Sequence, residues 1–200
     1  MSFTFDAVAH RYHHDGRVIP GVTATIGILA DYDGIPRAVL DRKADIGRAV
    51  HEHCDLIDTD ELALDMVHAD LAGYCRSYLA FRADMQPKVL LAEQPILHPV
   101  HMYAGTPDRY IEMRKLGRMV IDIKTTVAEH PLLHGTQLAA YRELIASHLN
   151  DRSPAGGAAL YLRKDGTYAF RDYTADLAIF WRGFQSLLFI DQLRKRYGNH

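Results

Sequence analysis

Three residues near the middle of the chain, Asp108, Asp122 and Lys124, have the types and spacing to do chemistry together. They lie in the stretch Gly105 to Thr126, GTPDRYIEMRKLGRMVIDIKTT, which reads as two short strands joined by a turn at Lys115-Leu116-Gly117-Arg118. Side chains alternate across a strand, so Asp122 and Lys124 share one face of the second strand and Ile121 and Ile123 the other. An acid and a lysine on so apolar a strand conflict with simple core packing, and such conflicts mark places to look for function. A carboxylate from each of two adjacent strands, Asp108 and Asp122, suits a hard divalent cation such as Mg²⁺, which favours oxygen ligands and keeps several waters. Such a cation activates water and neutralises charge on a phosphate in transfer. Lys124 beside it would orient that water or stabilise developing negative charge. The plainer reading is an Asp–Lys ion pair on a solvated strand face.

The flanking elements must carry the remaining groups to this pair. Arg37 to Ile57 has roughly helical apolar spacing, with Gly47 and His51 one turn apart on one face. Arg37, Arg42, Lys43 and Arg48 on the same helix read either as a solvated face or as a strip that tracks phosphates toward His51. A second helix is expected over Asp65 to Met85, ended by Pro87, its aromatic stripe belonging to the core. Val89 to His98 reads as a strand interrupted by Glu93 and Pro95. A buried Glu93 is costly unless a cation, an arginine or a lysine lies near it. After the central hairpin, a helix over Pro131 to Leu149 puts Gln137 and Tyr141 on one face. Gln137 can bond a phosphate or a ligating carboxylate and Tyr141 can offer its hydroxyl and ring to a substrate, or both can line a helix–sheet interface. Pro20 to Ala30 reads as helical, broken at Asp31-Tyr32-Asp33-Gly34. Hairpins are expected around Asp15-Gly16 and around Lys164-Asp165-Gly166, and a closing helix over Asp176 to Tyr197 that packs Ile179, Phe180, Leu187, Leu188 and Ile190 on the sheet.

Pro107-Asp108, thirteen intervening residues, then Asp122-Ile123-Lys124 resembles the signature of the PD-(D/E)xK nuclease superfamily. Gly47-Arg48-Ala49-Val50-His51, Glu93 ahead of the hairpin, and Gln137-Leu138-Ala139-Ala140-Tyr141 resemble further motifs of its RecB-like and phage exonuclease branch. The resemblance runs from about Gly21 to Tyr141, with Asp at position 122 where Glu is commoner. It implies one α/β domain over residues 1–200, with a mixed central β-sheet flanked by helices in a restriction-endonuclease-like core. It implies a Mg²⁺- or Mn²⁺-dependent deoxyribonuclease, a phage-type exonuclease of recombination or repair. In that reading His51, Asp108, Asp122 and the carbonyl of Ile123 ligate the metal with Glu93 close by, Lys124 serves the attacking water, and Gln137, Tyr141 and Arg48 hold DNA. Its expected partners are DNA and a single-strand annealing or recombination protein. A ring-shaped homo-oligomer occurs in this branch, though nothing in the chain demands one. A structure-selective or restriction-like endonuclease on the same core, and an inactive nucleic-acid-binding scaffold, are the rival expectations.

Composition fits these readings without demanding them. The chain has 200 residues, a formal net charge of −2 and 48% hydrophobic residues, as suits a globular domain with a sizeable core. A near-neutral balance does not advertise nucleic-acid binding, but a local basic strip can carry phosphate contacts regardless of the total. No apolar run is long enough for a membrane span and the N-terminus lacks the features of a signal peptide, so the expected location is cytoplasmic. Cys54 and Cys75 are expected as buried thiols rather than a disulfide framework. Most of the twelve histidines are expected at the surface or as caps.

Overall fold

The computed structural model describes residues 2–30, 34–150 and 155–198, so of the break expected at Asp31-Tyr32-Asp33-Gly34 the first three residues lie outside the described ones. The chain opens with a three-stranded antiparallel sheet of β1 (Phe3–Asp6), β2 (Arg11–His14) and β3 (Arg17–Ile19), with Asp15-Gly16 turning β2 into β3. Helix α1 (Val22–Ile26) is shorter than expected and gives way to a 3₁₀ turn at Gly27–Leu29. The long helix α2 (Arg37–Asp58) follows the expected span, with Pro36 at its N-cap. Helix α3 (Ala69–Met85) starts four residues later than the sequence suggests, after a 3₁₀ turn at Leu64–Met66. His68 explains the boundary, because its Nδ1 accepts the Asp70 N–H at 3.2 Å and so caps the helix.

The expected strand from Val89 to His98 is two strands, β4 (Lys88–Ala92) and β5 (Ile96–His98), separated at Glu93 and Pro95. The lead-in of the central hairpin also divides. β6 (Tyr103–Gly105) pairs with β5, whereas β7 (Arg109–Met113) pairs with β8 (Gly117–Lys124). Thr106, Pro107 and Asp108 are therefore a corner at which the chain changes sheets, a place suited to a residue that cannot donate a ladder hydrogen bond. The hairpin turn falls at residues 114–116, and Gly117, at φ 70°, takes the left-handed conformation that closes it. Helix α4 (Pro131–Leu149), strands β9 (Gly156–Leu162) and β10 (Tyr168–Asp172), and helix α5 (Leu177–Tyr197) complete the chain.

The main sheet is a mixed, five-stranded one in the order β10-β9-β8-β7-β4, with β8 and β9 parallel and the other neighbours antiparallel. Helix α4 makes the crossover between the two parallel strands, as a β–α–β connection requires. Helices cover both faces. Tyr110, Val120, Ala159 and Tyr161 pack with α1, α4 and α5, while Ile111, Ile121, Ile123 and Leu160 pack with α2 and α3. The period-two alternation of β7 and β8 thus feeds two separate cores. Tyr74, Tyr78 and Phe81 belong to the second, as expected of a core stripe. On α5 the expectation fails for Ile179 and Ile190, which are 60% and 45% exposed; Leu177, Phe184 and Leu188 make the buried face. Cys54 and Cys75 are buried free thiols. Among the described residues no helix is long and apolar enough to cross a membrane.

Helix α3 reaches the β9–β10 turn through Gly73, where an added Cβ would lie 1.9 Å from the Lys164 carbonyl oxygen. Gly73→Ala is expected to destabilise the protein by roughly 1–3 kcal/mol or more through forced backbone separation. Gly183→Ala on α5, where nothing lies within 4 Å, should instead stabilise by about 0.4–1 kcal/mol. Urea unfolding midpoints test this pair, and equal midpoints would remove the close-packing argument for Gly73.

Candidate metal centre

The end of the β7–β8 hairpin away from its turn collects groups from four segments. The ladder pairs Arg109 with Ile121, so the next position in register sets Asp108 across from Asp122. Like charges directly opposite on neighbouring strands repel, and both residues are buried, at 7% and 1% exposure. Asp108 accepts the Ile123 N–H through Oδ2 at 2.6 Å and faces His51 Nδ1 through Oδ1 at 3.7 Å. Burial raises its pKa, and Glu93 adds to the rise against the opposing pull of His51 and Lys124.

His51 reaches this corner from α2, on the far side of the sheet from α4. Its Nδ1 lies 3.1 Å from Glu93 Oε1 and its Nε2 lies 3.2 Å from the Ile123 carbonyl oxygen. A carboxylate and a carbonyl are both acceptors, so only the imidazolium satisfies both contacts as a donor. Burial alone would lower the His51 pKa, but Asp108, Glu93 and Asp122 overcome it and push the value up to about 9. Gly47, one turn earlier, lies beside the end of β8, where an added Cβ would be 4.0 Å from Thr125 Oγ1, so the packing there does not require glycine. Glu93 itself takes a left-handed backbone at φ 47°, uncommon for a residue with a side chain. Backbone strain of this kind clusters at functional sites.

A second chain of contacts lies on the α4 side. The Lys124 ammonium is 2.7 Å from Asp122 Oδ2 and donates to Gln137 Oε1 at 3.0 Å, while Gln137 Nε2 donates to the Tyr141 hydroxyl at 3.2 Å. Lys124 serves the buried Asp122 carboxylate as a counter-ion at close range. Burial, then the charge of Asp108, raises the Asp122 pKa, and Lys124 opposes both. His134, nearby on α4, sits 2.6 Å from the Tyr161 hydroxyl through Nδ1; burial and Lys124 lower its pKa to about 4, so it stays neutral.

Ligand atoms of His51, Glu93 and Asp108 all lie within 4.8 Å of one another, a spacing that can hold a metal ion. The donor set is one imidazole with carboxylate and carbonyl oxygens, groups that ligate divalent cations when the imidazole is neutral. The buried Asp122 beside it, paired with Lys124, adds a further carboxylate to the surroundings. Eight of the nine residues singled out from the sequence therefore meet here, in two groups. His51, Glu93, Asp108 and the Ile123 carbonyl form one, and Asp122, Lys124, Gln137 and Tyr141 the other. Gln137 and Tyr141 are buried and turned toward Lys124 rather than outward. Arg48 stands apart: its guanidinium pairs with Asp45, with both side chains more than two-thirds exposed. Arg37 likewise pairs with Asp41, so these two arginines of the expected basic strip carry acidic neighbours on a solvated face.

Two contributors escaped the sequence reading. Tyr12 on β2 meets Thr106 Oγ1 through its hydroxyl at 3.0 Å and ties the N-terminal sheet to the corner before Asp108. Arg109, fully buried, occupies a position whose parity matches the core residues Ile111 and Met113. A charge at a core-facing strand position was a signal available in the sequence.

No family model matches the chain, and no curated protein matches it. Among the solved chains that match, the crystal structure of SSO0001 is similar at 18% identity with a TM-score of 0.32, over 56% of this chain and 54% of that one. The chain thus spans about half of that structure, and at this level of likeness neither fold nor function transfers.

His51 binds its proton more tightly in the folded chain, at about 9 against 6.5 for a free imidazole. Its stabilising contribution is therefore complete below the unfolded value and is lost as pH rises through the folded one. In metal-stripped protein, the stability advantage of wild type over His51→Gln should shrink across this window by a few kcal/mol at most. Urea midpoints of both proteins across the window give the answer, and a constant difference would mean that His51 is not held as an imidazolium.

Proposed function

We propose that the chain is a Mg²⁺- or Mn²⁺-dependent deoxyribonuclease that hydrolyses DNA phosphodiester bonds, acting as a phage-type exonuclease in recombination or repair. The observation that carries this reading is the convergence of His51, Glu93 and Asp108 within 4.8 Å, beside a buried aspartate whose counter-ion is a lysine 2.7 Å away. The motif order that resembles PD-(D/E)xK nucleases supports it independently of the geometry.

In this reading His51, Asp108, Asp122 and the Ile123 carbonyl hold the cation, with Glu93 beside them. The bound cation supplies Lewis-acid charge neutralisation and acidifies a water. The residues of the chain do the rest. Asp122 and Gln137 hold the Lys124 ammonium at a fixed point, where it orients water and stabilises charge developing on a phosphate oxygen. Tyr141 steadies Gln137 from behind, at the end of that hydrogen-bonded chain. Burial of the site removes competing water and strengthens each of these interactions.

The test is digestion of end-labelled linear duplex beside a closed circle, with Mg²⁺, Mn²⁺ or EDTA. Wild type should degrade the linear form only, and only with metal. Lys124→Ala and Asp122→Asn should each lose about a hundredfold or more in rate, the scale of one preorganised charge-stabilising group. Cutting of the circle would move the assignment to an endonuclease. Activity that survives both substitutions, or none in wild type on any DNA with either metal, would end the proposal.

A further inference from the structure

Arg109 is the largest fully buried side chain among the described residues, at 1% exposure. Its guanidinium points in three directions at once. Nε donates to Asp58 Oδ2 at 2.7 Å, and Nη2 lies 2.6 Å from Asp55 Oδ1. Nη1 donates to the Asp108 carbonyl at 2.7 Å and lies 3.5 Å from Glu93 Oε1. Asp55 and Asp58 follow His51 on α2 by four and seven residues, which is one helix face. One planar cation therefore joins the helix that carries His51 to the segments that carry Glu93 and Asp108.

A structural ion pair would explain part of this arrangement, but such a pair is weak evidence of stability and needs only one carboxylate. Here Asp58 is already served by Tyr78, whose hydroxyl donates at 2.9 Å, and by Arg82 Nε at 3.6 Å. The contacts that this leaves unexplained are those on the other edge of Arg109, to the main chain of one cluster residue and the carboxylate of another. The fixed fork of arginine can serve both edges together, and a lysine cannot.

We infer that Arg109 is a positioning residue that sets the spacing of His51, Glu93 and Asp108 for a divalent cation. The inference rests on the metal-binding reading proposed above. Partners that orient metal ligands typically contribute about 10–100-fold to metal affinity, and that is the loss expected for Arg109→Lys. Asp55→Asn, which removes the negative charge that meets one arm at a half-exposed position, should lose less while keeping the fold.

Calorimetric titration of the full chain with Mn²⁺ tests it, alongside Leu188→Ala, a cavity variant on α5 in the core on the other side of the sheet from α2 that controls for lost stability. Weaker Mn²⁺ binding in Arg109→Lys and Asp55→Asn, with Leu188→Ala equal to wild type, supports the inference. Wild-type affinity in Arg109→Lys overturns it and leaves the metal site standing. Equal weakening in Leu188→Ala also overturns it, because Arg109 would then act only through stability. If Arg109→Lys does not fold, Asp55→Asn decides: unchanged affinity overturns the inference and a loss supports it. Absence of Mn²⁺ binding in wild type overturns the metal reading and the inference with it.

Discussion

Two carboxylates facing each other across a strand pair and shut away from water demand positive charge close by. Asp108 and Asp122 are placed so, and the surrounding structure can be understood as the means of supplying that charge. His51 brings a protonated ring from one side of the sheet and Lys124 an ammonium from the other. Each cation is then fixed by a second contact, His51 by the Ile123 carbonyl and Lys124 by Gln137. A divalent cation would relieve the same electrostatic demand in one step. In the metal-dependent reading proposed above, the protonated histidine and the cation would be alternative answers to one problem.

The alternation of β8 makes this possible without breaking the core. Ile121 and Ile123 face α2 and α3, while Val120, Asp122 and Lys124 face α4. A polar pair can then lie inside the sheet because only one of its two cores has to accommodate it. The crossover through α4 between parallel β8 and β9 delivers Gln137 and Tyr141 over Lys124.

Much of this was legible beforehand, for identifiable reasons. Strand periodicity located Asp122 and Lys124 on one face, and helix periodicity put Gln137 and Tyr141 together; both depend on local geometry alone. The charged neighbours of Arg48 and Arg37 were also visible, yet whether a helix face is solvated or meets a substrate depends on tertiary placement. The division of the segments around Glu93 and Asp108 between two sheets was hidden because it arises from pairing between distant strands. Arg109 was marked by its charge at a core-facing position, but what it does there was hidden for a related reason. Its importance comes from Asp55, Asp58 and Glu93, which are near it only in the folded chain.

The contacts that close the candidate centre span long stretches of sequence: His51 to Ile123 covers 72 residues, and Tyr12 to Thr106 covers 94. The hairpin that bears Asp108 and Asp122 can form locally, whereas the helix and sheet that complete its surroundings must wait for large loops to close, which is slow. The centre therefore depends on contacts that no local segment can make by itself. A hairpin formed on its own would hold its acids without their histidine, so the donor set exists as a unit only in the whole fold.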